Sequence, residues 1–372
     1  IGDNTLTHPY CGDTRDIDAM SDILPNQSAL IARLPPDQQQ TLLAILKKTG
    51  DPESFQRELE KHPELVAALQ WAPASGRLDD PTDLESVIER LSQPARNLTE
   101  MPRRIELCRQ ALSLVDRDEN PHLWGILHNE LSINLAQNPQ GVRADNLEQA
   151  IAHAEQALEV RTRQAYPEDW AMTQNNLSAA YAQRILGEQA DNLEQAIAHA
   201  EQALGVYTRQ AYPEEWAMTQ NNLAVAYGGR IRGEQADNLE QAIAHYEQAL
   251  TVRTRHAYPE HWAMTQHNLS IAYRDRIQGE RADNLEQAIT HAEQTLEVFT
   301  RQSYPEQWAA TQHNLGAAFQ ARIRGERANN LEQAIIHYEQ ALEVYTRLAY
   351  PEHWTETQNH LAVAYREHNR GV

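Results

Sequence analysis

Tyr166-Pro-Glu-Asp-Trp-Ala-Met-Thr-Gln-Asn-Asn-Leu-Ser-Ala-Ala-Tyr181 is the stretch whose reading decides the fold. It returns, little altered, from Tyr212, Tyr258, Tyr304 and Tyr350. Trp124, Trp170, Trp216, Trp262, Trp308 and Trp354 stand 46 residues apart each time. The block Asn-Leu-Glu-Gln-Ala-Ile keeps the same step from Asn146, Asn192, Asn238, Asn284 and Asn330. A fixed period of this kind marks a solenoid, in which stacked units bury one continuous core.

Laid out at about 100° per residue, Trp170, Thr173, Leu177, Ala180, Tyr181 and Arg184 form one stripe of a helix. Pro167 fits its first turn, and Glu168 and Asp169 put negative charge on its positive end. The pattern predicts helix A over roughly 167–184, ended by Gly187. Asp191 and Glu194 then make a capping-box pattern that opens helix B, running to about Arg209. Leu193, Ala196, Ile197, Ala200, Leu204 and Tyr207 form its buried stripe, while Glu194, Gln195, Glu201 and Gln202 face water. Two antiparallel amphipathic helices per unit give an all-α fold, an α-solenoid.

Leu177, Ser178 and Tyr181, followed by Ala196, Ala200, Ala203 and Leu204, resemble the tetratricopeptide (TPR) consensus. Asn221-Asn222-Leu223-Ala224-Val225-Ala226-Tyr227 is similar to the kinesin-light-chain style of that repeat, and the resemblance covers roughly 102–372. It implies a right-handed superhelix of antiparallel helix pairs. A standard repeat of the family has about 34 residues, so each unit here is roughly 12 longer. The excess is shared between the two ends of the unit, which predicts longer helices of roughly 18 residues, or 27 Å. Long-period arrays of this type occur in bacterial multidomain proteins beside a caspase-like CHAT peptidase or another effector.

Around the array, residues 1–24 show no periodicity and read as a tail or linker. Residues 25–98 read as an N-terminal helical cap, with Gly50 closing one helix and Pro52 and Pro63 each opening another. The array itself spans 99–372, beginning with an orphan second helix over 102–117. Its sixth unit has helix A from Pro351 to about His368 and no helix B. Val372 reads either as a natural end or as a cut, and Ile1 in place of Met suits a processed or trimmed product.

The 372 residues carry 53 acidic and 32 basic side chains, a net charge of -21. That balance disfavours nucleic acid and anionic membrane as partners, since both need clustered Lys and Arg. A 41% hydrophobic content suffices for a continuous core, and a mean hydropathy of -0.68 implies a wet surface. Cys11 and Cys108 are too few for a disulfide framework or a thiolate metal site and suit a reducing, cytoplasmic setting. No apolar run reaches the length of a membrane span. His8 and Cys11 lie close in sequence but lack the partners of a nucleophile–base frame, so no catalytic residue is expected.

The face of helix A opposite Trp170 carries Met172, Asn175, Asn176, Ala179 and Gln183, and recurs as Met218, Asn221, Asn222, Val225 and Gly229. It is amide-rich and nearly uncharged, unlike the Glu-rich face of helix B. Amides can donate to and accept from a peptide backbone without the cost of desolvating a charge. In the TPR family the matching face lines a concave groove, and ligand contacts fall at the positions of Asn175, Asn176, Ala179 and Gln183. The later copies of this face contribute His267, Asn268, Ile271, Arg274, Asp275, His313, Asn314, Gln320, Asn359, His360 and Arg366. These positions vary between units while the packing residues barely change.

The histidines of helix B (His153, His199, His245, His291, His337) have no partner at i+3 or i+4, so neither a metal nor any other cofactor is expected. A pH-sensitive groove around His267, His313 and His360 is a further option. The expected function is a non-enzymatic scaffold that binds a protein or peptide segment along the groove. The alternative is the sensor or regulatory arm of a larger effector whose catalytic domain lies outside this chain.

Overall fold

The computed structural model describes residues 97–371, together with 83–93, Ala95 and the isolated positions Thr41, Ile45, Glu58, Leu59, Lys61, His62 and Leu65. His8, Cys11 and the tail over 1–24 lie outside the described residues, as does most of the region read as a cap. The described residues up to Gln93 and those from Ala95 onward fall into two compact units. In the first, helix α1 (Leu84–Ser92) is capped by Asp83, which accepts from the Ser86 amide.

The second unit is the array. After a short 3-10 turn, it continues as α2 (Met101–Leu114), α3 (Pro121–Gln137), α4 (Arg143–Leu158), α5 (Pro167–Ala182) and α6 (Gln189–Leu204). It goes on through α7 (Pro213–Gly229), α8 (Gln235–Leu250), α9 (Pro259–Asp275), α10 (Arg281–Leu296), α11 (Pro305–Ala321), α12 (Arg327–Leu342) and α13 (Pro351–Gly371). Odd-numbered helices from α3 are the A helices and even-numbered ones the B helices. Each A helix packs on its own B helix, which in turn packs on the next A helix. No strand occurs among the described residues.

Small side chains make this stacking close. Ala196, Ile197 and Ala200 of α6 meet Leu223 and Ala226 of α7 in one buried cluster. At the far end, Ile289 and Ala292 of α10, Leu315 of α11, Ile335 and Tyr338 of α12 and Leu361 of α13 share another. Burying a side chain such as Leu223 contributes about 1.5–3 kcal/mol, so the core rather than the connectors holds the array together.

The connectors correct two expectations. The B helices have 16 residues and the A helices from α3 to α11 16 or 17, short of the expected 18. The added length of the unit lies partly in the connectors, 183–188 and 205–212 in the central unit. Helix α6 begins at Gln189, with Glu188 at its cap position and no side-chain cap, so Asp191 and Glu194 sit inside it rather than opening it. Asn192 does the work at this end: its amide donates to the carbonyl of Leu186 at 2.9 Å and clasps the turn in which Gly187 takes φ +81°. That left-handed conformation costs a residue with a Cβ about 1–2 kcal/mol, which is why glycine recurs at the same place.

The segment 205–212 is a turn built around Thr208, whose Oγ1 accepts from the Ala211 amide. Arg209 lies over the Trp216 ring at 5.9 Å, and Arg163 and Trp170 repeat the arrangement. Trp170 and Trp216 are half-buried and pack beside Ala171, Ala203 and Tyr207. The recurrent tryptophan therefore anchors the connector at the start of each A helix. Helix α13 runs 21 residues, past the expected end at His368, with His368 and Arg370 in its last turn complementing the helix dipole.

Candidate binding groove

Helix A is buried almost all round. In α5, Ala171, Thr173, Gln174, Asn175, Leu177, Ser178 and Ala180 are buried. Among the residues left half-open are Trp170 and Tyr181 and the stripe Met172, Asn176, Ala179 and Gln183, the last four spaced as one helix face. The same stripe recurs as Met218, Asn222, Val225 and Gly229 on α7 and as Met264, Asn268, Ile271 and Asp275 on α9. Asn176, Ala179 and Gln183 from the first of these faces, Met218 and Asn222 from the second and Met264 from the third border a cavity of about 620 Å³ that reaches back to Ser132 on α3. A second cavity of about 470 Å³ lies between α11 and α13, against Ala317, Gln320, Asn359, His360 and Val363.

The expected groove residues divide into three sets. Asn175, Asn221, His267, Asn268, His313 and Asn314 are buried, with His267 only 1% exposed. Asn176, Ala179, Gln183, Asn222, Val225, Ile271, Arg274, Gln320 and His360 are half-buried, and Gly229, Asp275, Asn359 and Arg366 are exposed.

The buried set belongs to a polar ladder joining successive A helices. Asn176 donates to Asn129 Oδ1 and Asn222 donates to Asn175 Oδ1, each at 3.1 Å. One step on, Thr265 Oγ1 lies 3.2 Å from Asn221 Oδ1. At the next interface His267 replaces asparagine: its Nδ1 meets Thr311 Oγ1 at 3.0 Å and its Nε2 meets Asn314 Nδ2 at 3.3 Å. The Thr311 proton goes to the Gln307 carbonyl, so His267 donates through Nδ1 and accepts through Nε2. Burial, seconded by the charge of Arg274, holds the His267 pKa down at about 3, and burial with the neighbouring His360 does the same for His313.

The B-helix histidines are equally occupied. His199, His245, His291 and His337 each place Nδ1 2.5–2.6 Å from the side-chain oxygen of a buried glutamine on their own A helix, the first being Gln174. Each also stacks on an aromatic ring, as His199 does on Tyr181. They are clasps within a unit.

The sequence missed Arg253 and Glu356 in this region. Arg253 borders the larger cavity yet is 5% exposed, and it recurs in sequence only as Arg161, so periodicity masked it. Glu356 stands where the other units have Met172, Met218, Met264 and Ala310, and it meets His313 and His360 in one cluster.

No protein-family model matches the chain, and no curated protein matches it. Among solved structures it is similar to the crystal structure of the APC/C hetero-tetramer Cut9–Hcn1, with a TM-score of 0.52 and 15% identity. The match covers 94% of this chain, which spans 57% of the length of that one. At that identity the likeness concerns fold alone: an all-α solenoid of stacked helix pairs. No helix among the described residues is long and apolar enough to cross a membrane.

Proposed function

We propose that the protein is a non-enzymatic scaffold that takes an extended protein segment along the stripe of half-open A-helix residues. The observation that carries this reading is the cavity of about 620 Å³, which crosses several units and mixes apolar with amide side chains. Ala179, Met218 and Met264 offer apolar contacts in the cavity, with Val225 and Ile271 further along the stripe, and Asn176 and Asn222 offer groups that can meet a peptide backbone. Differences at Ala179, Val225 and Ile271 would let each unit read a different side chain of the partner. A sensor arm of a larger effector would use the same face.

The test is a triple variant at cavity-lining positions, Ala179→Glu, Met218→Glu and Met264→Glu, set against a rim variant, Ile231→Glu with Ile277→Glu, two exposed positions outside the cavity. Partners captured by the wild-type chain are quantified by mass spectrometry for all three proteins, alongside melting temperatures. At least tenfold loss of the same partner in the groove variant, with retention in the rim variant, supports the reading. Retention in a folded groove variant overturns it.

A further inference from the structure

The last A–A interface departs from the first three at three positions at once, and from the one before it at two. His313 stands where the first three interfaces have Asn129, Asn175 and Asn221, and His360 stands where every preceding repeat of the stretch has an asparagine, as in Asn222 and Asn314. Glu356 replaces the methionine or alanine beside them. Glu356 and His360 are four residues apart on α13 and so share one face of the helix. One ligand atom from each of the three side chains lies within 4.8 Å of the other two.

The hydrogen bonds around His313 set its two ring nitrogens apart. His313 Nδ1 meets Thr357 Oγ1 at 2.9 Å, as His267 meets Thr311. His267 Nε2 is occupied by the Asn314 amide, but His360 in the equivalent place supplies no such bond to His313. His313 Nε2 instead faces Glu356 Oε1 at 3.9 Å, beyond hydrogen-bond reach. If Nδ1–H donates to Thr357 as that of His267 does to Thr311, Nε2 turns its lone pair toward the carboxylate, and a cation between the two acceptors would satisfy both. The second histidine ring stands almost perpendicular to the first, with centroids 5.3 Å apart. Arg274, whose charge reaches His313, is itself bridged to Asp275.

We propose that His313, Glu356 and His360 form a divalent-metal site that takes Zn²⁺ and pins α11 to α13. Two imidazoles and one carboxylate are a donor set that zinc accepts with water as fourth ligand, and a hydrogen bond from His313 Nδ1–H to the Thr357 hydroxyl fixes Nε2 as the nitrogen that binds. Metal–ligand bonds of about 2.0–2.2 Å require the ligand atoms to close to roughly 3.4 Å of one another. Glu356 is half-exposed on a flexible stem and supplies that movement. The remaining coordination position is left to water, beside the cavity that His360 borders.

The experiment measures Zn²⁺ binding to the full chain by calorimetry, with Co²⁺ absorption as a second readout of geometry. Two variants restore what earlier units carry: His360→Asn, which rebuilds the pairing seen between His267 and Asn314, and Glu356→Met. His256→Asn, at an exposed connector position, is the control. One equivalent of Zn²⁺ should bind to the wild type and the control, with affinity at least tenfold lower in each site variant and loss of the tetrahedral Co²⁺ band. Unchanged affinity and stoichiometry in His360→Asn overturn the proposal. So does a wild type that binds no more tightly than a chain carrying both His360→Asn and Glu356→Met, which would leave only adventitious binding to surface carboxylates.

Discussion

The side-chain amide of Asn222 donates to Oδ1 of Asn175 across 3.1 Å, tying α7 to α5 one unit earlier. Asn175 is 2% exposed, so its oxygen has little access to water if that donor is removed. Asn222→Ala should therefore lower stability by about 1–3 kcal/mol, the cost of stranding a buried acceptor. Asn359→Ala, at an exposed position, should change it by less than about 0.5 kcal/mol. Urea denaturation of both variants checks this. Equal, negligible effects would mean that the ladder is incidental to stacking.

His267 gives the interface a defined response to acid. Burial depresses its pKa from 6.5 to about 3, so the unfolded chain takes up a proton there before the folded one does. Its stabilising effect is complete above about pH 6.5 and is lost as the pH falls toward 3. Between pH 7 and pH 5 the loss is about 2 kcal/mol from this residue alone. His128, held at about 4, and His313, held at about 3, act in the same direction. His267→Asn keeps an acceptor for Asn314, as Asn175 does for Asn222, and removes the titration. The melting temperature of this variant should fall less between pH 7 and pH 5 than that of the wild type. Parallel pH profiles would show that His267 is not the source.

The solenoid was legible because the period repeats the same amphipathic pair, and every copy votes for the same helices. The groove was legible only to about half a helix turn. Asn175 and Asn176 are adjacent and chemically identical, and both border the cavity, yet Asn175 is 2% exposed and bonds to the following A helix while Asn176 is half-open and bonds to the preceding one. Which of them faces which neighbour depends on the rotation between units, and one unit's sequence does not contain it. The start of helix B was displaced for a related reason: Asp191 and Glu194 have capping-box spacing, but Asn192 and Gly187 set the turn before it. Glu356 and His360 carried a visible i, i+4 signal, whereas His313 joins them only through the stacking of α11 on α13.

Arg253 tests whether a charge was kept in this core for a reason other than stability. It is 5% exposed, and among the described residues no carboxylate lies within ion-pair distance. Its counterpart Arg161 has Asp169 at 3.5 Å, where the later unit has His261. Arg253 donates one hydrogen bond to Thr265 Oγ1 at 3.2 Å, while its Nε has no partner. Desolvation pulls its pKa down to about 10, so it remains charged near neutrality. Sister units fill the same place with Tyr207, Phe299 and Tyr345, all buried, and Phe299 packs on Tyr304 with ring centroids 5.2 Å apart. Arg253→Phe should reproduce that contact on Tyr258 and leave the Thr265 hydroxyl bonded to the His261 carbonyl. Replacing a poorly compensated buried charge with a packed ring is expected to be neutral or to raise stability by about 1–4 kcal/mol. Calorimetric melting of the variant against the wild type decides the matter. A lower melting temperature would mean that the guanidinium is compensated in the folded chain, and that the aromatic and arginine units are not interchangeable.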